Sequence, residues 1–248
     1  MNERFQTLLH CGIPLLVYRP WWSQGIVHGM TMGEIDLRAS RLPNAERELC
    51  AAIGLSYLAL PEQVHGCEYS DLRTAPAVAA VLARQGSLIK GARCDAFIAP
   101  SSQTLKGSRI GFGVMSADCV PVLVRAQTGW AAIHAGWRGL ASGVIARAIG
   151  ALDGVEEAAV FAAAGGLRYQ VGPEVIEAIG STAVCTKTAD GRYLLDTAQT
   201  AIRQLRVISP AIKAEAAGIC TISDERFHSF RRQGEGCGRS VTFIIPPD

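Results

Sequence analysis

The densest apolar patterning lies mid-chain, where three runs, Ile110 to Met115, Val120 to Arg125 and Trp130 to His134, are separated by short breaks. Runs of this length and composition read as strands of one sheet. The break Ala126-Gln127-Thr128-Gly129 suits a tight hairpin, so the second and third runs are expected as antiparallel neighbours. A turn centred near Thr128 then sets residue 134 across from residues 121 to 123 and brings Cys119 and His134 to one end of the sheet.

Earlier in the chain, Ile13 to Tyr18, Gly25 to Met32 and Tyr57 to Leu60 read as strands, with Arg19-Pro20-Trp21-Trp22 as a turn between the first two. Asn44 is the expected N-cap of a helix through Ile53 that Gly54 ends, and Thr74 caps a second helix from Pro76 to Gln85, closed by Gly86. After His134 the segment Ala135-Gly136-Trp137-Arg138-Gly139 leads into a helix from Leu140 to Ile149, stopped by Gly150. The last third predicts a strand near Ala158 to Ala162, a helix over Pro173 to Ile179, a helix N-capped by Asp196 after Tyr193-Leu194-Leu195, and a final strand over Val241 to Ile245. Strands and helices mix without strict alternation, and neither a repeat nor a linker divides the chain. The expectation is a single domain over residues 1–248, of α/β (α+β) class, with layered mixed sheets rather than a doubly wound one.

Composition narrows the function classes. With 248 residues, 49% hydrophobic and 19% charged, the chain can build a substantial core and is not intrinsically disordered. Its 24 basic and 22 acidic residues leave a formal charge of +2 with no basic run, so neither nucleic acid nor an anionic membrane is an expected partner. The apolar stretches break well short of the ~20 residues of a membrane-spanning helix. The first ten residues carry Glu3 and no long apolar segment, which makes the cytoplasm the expected location. None of the eight cysteines forms a Cys-x-x-Cys pair, which argues against a closed tetracysteine zinc site. Most are expected reduced and buried.

Two of the five histidines, His65 and His134, stand at strand ends before glycine-bearing turns, where ligands and bases are commonly placed. Cys119 sits where a buried strand begins, and two readings compete for it. A cysteine and two histidines with no fourth protein ligand suit an open zinc site. The same Cys119 and His134 also suit a nucleophile with its base. Asp118 faces the opposite side in a regular strand, so it is expected to support the site rather than to ligate. Arg138, in the loop after His134, and Arg232 and Arg239, in the glycine-rich stretch near the C-terminus, suit an oxyanion such as phosphate.

Three motifs carry a resemblance: Gln63-Val64-His65-Gly66, Ser116-Ala117-Asp118-Cys119-Val120-Pro121-Val122-Leu123, and Ala131-Ala132-Ile133-His134-Ala135-Gly136-Trp137-Arg138-Gly139. In this order and spacing they resemble the laccase-domain family, also called the polyphenol oxidase or purine nucleoside phosphorylase family and formerly described as multicopper oxidase-like. Tyr193-Leu194-Leu195-Asp196, Cys220-Thr221, and Phe227 to Arg232 with Gly238-Arg239 extend the resemblance over nearly the whole chain.

The resemblance implies a mixed sheet flanked by helices, in a fold like that of cytotoxic necrotizing factor. It also implies a zinc site at His65, Cys119 and His134 with one position open to substrate. The implied activities are phosphorolysis of adenosine, inosine, guanosine and methylthioadenosine, and deamination of adenosine, with a purine nucleoside and phosphate as partners and the chain a monomer or weak homodimer. The family also includes a peptidoglycan editing factor, and older naming makes it a copper polyphenol oxidase. A four-copper cluster takes about ten histidines, twice what this chain has, whereas a single copper suits the same His₂Cys ligation. Between Phe161 and Gly172 the chain keeps only Tyr169, Val171, Gly172 and one further glycine of the family pattern, a departure that bears on substrate choice. A cysteine hydrolase acting through Cys119 and a non-catalytic metal-binding protein are the competing classes.

Overall fold

A computed structural model describes the chain except for residues 34, 37–41, 75, 77–87 and 104–107. Its strands assemble into two large mixed sheets and one small one. The seven-stranded sheet draws on both ends of the chain, in the order Phe5–His10, Ile13–Tyr18, His28–Thr31, Ser240–Ile244, Ile110–Ser116, Tyr57–Glu62 and Leu88–Arg93. The six-stranded sheet runs Lys213–Ala216, Val155–Val160, Val120–Ala126, Gly129–Ala135, Ala96–Ala99 and Tyr69–Asp71. Every residue of Gly129–Ala135 is buried, because both faces of this central strand are covered.

Burial of apolar side chains explains the layering. Phe5, Tyr18 and Phe112 from one sheet, with Trp21 of the short helix after Ile13–Tyr18, meet Phe97, Leu123 and Trp130 from the other, with Phe161 just past Val155–Val160, in the space between them. Helices Trp137–Ser142, Val144–Gly150, Pro173–Ile179 and Thr197–Ile208 cover the outer face of the six-stranded sheet through Leu140, Ile145, Val175, Ile202 and Leu205. Helix Leu42–Ile53 covers the seven-stranded sheet through Leu49, Cys50 and Ile53. The architecture is the layered, mixed α/β arrangement the element pattern predicts. None of the described helices is long and apolar enough to cross a membrane.

The three mid-chain runs do not share one sheet. Ile110–Ser116 pairs with Ser240–Ile244 and Tyr57–Glu62, while the Val120–Ala126 and Gly129–Ala135 hairpin lies in the six-stranded sheet. The chain changes sheets at Asp118, whose backbone is left-handed with φ of +88°. Apolar runs carry no mark of this change, because Ile110–Ser116 and Val120–Ala126 are alike buried on both faces. The hairpin register is as expected, with His134 opposite Pro121. Gly129, at φ of +149°, closes the turn where a Cβ would stand 2.3 Å from the Ala99 carbonyl oxygen.

Other boundaries shift for local reasons. The helix expected over Leu140 to Ile149 is two helices, broken at Gly143 with φ of +81°. Arg19–Trp22 is a short helix rather than a turn. Helix Leu42–Ile53 includes Asn44, which therefore does not cap it, and Gly54 ends it at φ of +67°. The strand expected near Ala158 to Ala162 is Val155–Val160. Asp196 caps Thr197–Ile208 as predicted, its carboxylate accepting the Gln199 N–H at 2.9 Å. The helix expected over Pro76 to Gln85 lies, apart from Pro76, outside the described residues.

Candidate metal centre

The sheet end predicted to gather chemistry does so. His134 occupies the penultimate position of Gly129–Ala135, Cys119 immediately precedes the paired Val120–Ala126, and His65 lies in the turn after Tyr57–Glu62. One donor atom from each of His65, Cys119 and His134 falls within 4.8 Å of the others. The two imidazoles stand nearly perpendicular, with centroids 4.9 Å apart.

What holds the two histidines is Asp95, a residue the sequence reading did not single out. Its carboxylate is fully buried and accepts N–H groups from Val64, His65 and Gly66 at 3.3, 3.0 and 2.7 Å. It also meets His134 Nδ1 at 2.9 Å, which leaves Nε2 as the nitrogen free to ligate. His65 is held at φ of +59°, a conformation costly for a non-glycine residue, and the convergence of three backbone donors on one carboxylate offsets that cost. Gln63 fastens the same turn to the Ile110–Ser116 strand through both backbone groups of Met115, at 2.7 and 2.8 Å.

Electrostatics favour an ionised pair. Burial alone would raise the Cys119 thiol, but the His134 and His65 imidazoles outweigh it and pull the thiol down to about 6. Burial disfavours charge on His134, yet Cys119 and Asp95 hold its pKa up to about 9. Burial would likewise raise the Asp95 carboxyl, and His134 with the Gly66 and His65 amides keeps it below its ordinary value. A thiolate and two imidazoles, one fixed by a buried carboxylate, fit a zinc or copper ion by their donor chemistry. Gly136 keeps the space open, since a Cβ there would lie 2.9 Å from Cys119 Sγ.

The cluster forms one wall of a cleft of about 650 Å³, whose other walls include Trp137, Arg138, Tyr169, Phe230, Arg231 and Arg239. The Arg138 guanidinium lies 4.3 Å from the Trp137 ring centroid, and that of Arg231 lies 4.8 Å from the Tyr169 centroid. Asp118 also lines the cleft and ties three segments together. Its carboxylate accepts from Thr221 Oγ1 and from the Arg231 N–H, each at 2.6 Å, and its carbonyl accepts the Ala164 N–H at 2.8 Å.

Arg232 does not line the cleft. Its guanidinium donates to the carbonyls of Thr221, Ile222, Asp224 and Phe227, bracing the C-terminal loop. The neighbouring Arg231 faces the cleft instead, because the short helix Phe230–Gln233, capped by Ser229, turns successive side chains to different sides. The one available signal for Asp95 was a single acid heading the apolar run Ala96–Ala99.

A family model described as multi-copper polyphenol oxidoreductase laccase matches residues 28–246. The chain belongs to this family. A purine nucleoside phosphorylase, YfiH, of Shigella flexneri is 32% identical over 193 residues, covering 74% of this chain and 71% of that protein. A purine nucleoside phosphorylase of Xylella fastidiosa is 34% identical over 159 residues, 58% of this chain, and the match spans only 61% of that relative's length. The crystal structure of YlmD from Geobacillus stearothermophilus superposes with a TM-score of 0.79 over the full length of both chains at 20% identity, so the two share a fold.

In this member of the multi-copper laccase family, the other histidines serve elsewhere. Buried His28 accepts the Tyr18 N–H at 3.0 Å and reaches the Ile26 carbonyl at 2.8 Å, His228 meets the Ile35 carbonyl at 3.1 Å, and His10 packs on Trp22. Among the described residues His65, Cys119 and His134 form the one three-residue group suited to a metal.

Proposed function

We propose that this chain is a metal-dependent purine nucleoside phosphorylase in which His65, Cys119 and His134 hold zinc. The observation that carries the reading is the His₂Cys cluster, braced by Asp95, in the wall of a cleft that also presents aromatic faces and guanidinium groups. When bound, zinc would supply a Lewis acid that polarises an oxygen of the reactants. Asp95 keeps the His134 imidazole in one orientation. Arg138 and Arg239 offer charge-assisted hydrogen bonds that would hold phosphate for attack at the ribose C1′ carbon. Tyr169 and Phe230 supply faces on which a purine can stack. In the reaction the C1′–N9 bond breaks, its electron pair and a proton go to the leaving purine, and a phosphate oxygen bonds C1′. Deamination of adenosine at the same site is a second proposed activity, and copper fits the same ligands.

A second reading is favoured by the low pKa of the Cys119 thiol beside His134, the pairing of a cysteine nucleophile and its base. Removing metal separates the two, since chelation abolishes turnover in the first and preserves it in the second. The primary test is product analysis of metal-quantified protein with adenosine, inosine and methylthioadenosine, with and without phosphate, beside Cys119→Ala. Free base and ribose 1-phosphate, dependent on phosphate and on Cys119, support phosphorolysis. Inosine formed from adenosine supports deamination, and no turnover at one metal per chain contradicts both.

A further inference from the structure

Glu62 brings to the cleft an acid that neither the metal cluster nor the arginines employ. It ends strand Tyr57–Glu62, three residues before His65, so about 10 Å of extended chain at most separates the two backbones. The ladder to Leu88–Arg93 shifts register between Leu60 and Glu62, an irregularity of the kind that re-aims a side chain beside an active site. The next residue, Gln63, is bonded at both ends of its amide to the Met115 backbone, which holds the segment carrying Glu62 in place.

Hydrogen-bond acceptors are scarce in this cleft. Among the described residues that line it, only Glu62 and Asp118 carry carboxylates. The two Asp118 oxygens already accept from Thr221 Oγ1 and the Arg231 N–H, the Gln63 oxygen accepts the Met115 N–H, and arginines only donate. Glu62 Oε1 stands 3.7 Å from Arg93 Nε, beyond hydrogen-bond length, and both side chains are more than half exposed. Such a water-screened contact on one oxygen leaves most of the carboxylate's lone pairs to a ligand.

Exposure orders the cleft from rim to floor. The Glu62 side chain is 59% exposed and Phe230 49%, whereas His134 at the metal cluster is 2% exposed. A nucleoside with C1′ near the cluster keeps its 2′-hydroxyl there as well, and its purine extends toward the rim with the N1 edge farthest from the C1′–N9 bond. A carboxylate on that edge discriminates between bases. Guanine presents N1–H and an amino N–H side by side, matching the two oxygens, and hypoxanthine presents N1–H alone. Adenine sets the N1 lone pair against the carboxylate beside a single useful N–H.

We propose that Glu62 reads the N1 edge of the purine and makes guanosine and inosine preferred substrates over adenosine. The inference deepens the phosphorylase reading and rests on it for turnover, while recognition of the base requires no cleavage. Glu62 is thus a specificity residue at the rim, separate from the groups that meet metal and phosphate.

The test compares kcat/KM for guanosine, inosine and adenosine, at saturating phosphate, in metal-loaded wild type, Glu62→Gln and Glu62→Ala, alongside equilibrium dialysis with labelled hypoxanthine and adenine. Wild type is expected to favour guanosine, then inosine, then adenosine. Glu62→Gln lowers kcat/KM for inosine about tenfold, the size of one lost charge-assisted bond, and weakens hypoxanthine binding by the same factor. Its amide offers one acceptor and one donor, the complement of the adenine edge, so adenosine turnover and adenine binding are retained or raised. The KM for phosphate does not change. Glu62→Ala loses the preference without the gain for adenosine.

An equal fall for all three nucleosides in Glu62→Gln overturns the inference, because it is what a contact to ribose or a structural role produces. So does an unchanged ratio of inosine to adenosine, or a wild-type preference for adenosine. If no nucleoside is cleaved, hypoxanthine binding that depends on Glu62 upholds the base-reading role and refutes the phosphorylase reading alone, and binding of neither base overturns both.

Discussion

Replacing Asp95 by Asn isolates the contact that organises the candidate centre. The side chain keeps its shape, but one of two acceptor oxygens becomes an NH₂ group. Asp95 Oδ1 serves the His65 amide and His134 Nδ1, and Oδ2 serves the Val64 and Gly66 amides, so either orientation of the Asn sets a donor against two donors. Each lost bond to a charged acceptor is worth about 1.5–3 kcal/mol, so two give a loss of about 3–6 kcal/mol in stability. Releasing His134 from its carboxylate lowers metal affinity about 10- to 100-fold. Urea unfolding of the metal-free proteins measures the first quantity and competition with a chromophoric chelator the second. Stability within about 0.5 kcal/mol of wild type, together with metal affinity within about twofold, refutes the assignment of Asp95 as organiser.

Three other outcomes follow from the geometry. In metal-free protein, alkylation of Cys119 reaches half its maximal rate near pH 6 and at neutral pH far outpaces Cys94, whose thiol burial pushes up to about 11; a Cys119 midpoint near 9 contradicts the pairing with His134. Gly136→Ala drives a Cβ toward Cys119 Sγ and lowers metal affinity by about tenfold or more, read by the same chelator competition, while undisturbed binding contradicts the packing argument. Burial lowers His28 from 6.5 to about 4, so between those values the unfolded chain takes up a proton that the folded chain does not. Stability is therefore complete above pH 6.5 and falls as pH drops, by about 3 kcal/mol at pH 4 from this residue. Urea unfolding from pH 7 to 5, with the His28 imidazole followed by NMR, checks this, and a His28 titration near 6.5 contradicts it.

The site was legible in the sequence where local geometry fixes it. A two-residue hairpin turn sets the register of its strands, which is why Cys119 and His134 could be placed at one end and why Pro121 faces His134. Pattern did not reveal which sheet Ile110–Ser116 joins, because that depends on the left-handed backbone of one non-glycine residue, Asp118. Asp95 was missed because its partners lie 29 to 39 residues away and an isolated acid before a strand has many uses. The shift from Arg232 to Arg231 is a matter of one position in a four-residue helix, where only the Ser229 cap decides which guanidinium faces the cleft. The break at Gly143 was hidden in an otherwise continuous helical pattern, since glycine within a helix and glycine between two helices read alike.

The most direct test of the account is metal titration of chelated protein in the presence of inosine and phosphate, following hypoxanthine and ribose 1-phosphate. The account predicts no turnover without metal, recovery that rises linearly with added zinc to a plateau at one equivalent per chain, and no recovery for Cys119→Ala at any zinc concentration. Full activity in the chelated protein, or recovery in the Cys119→Ala variant, contradicts it.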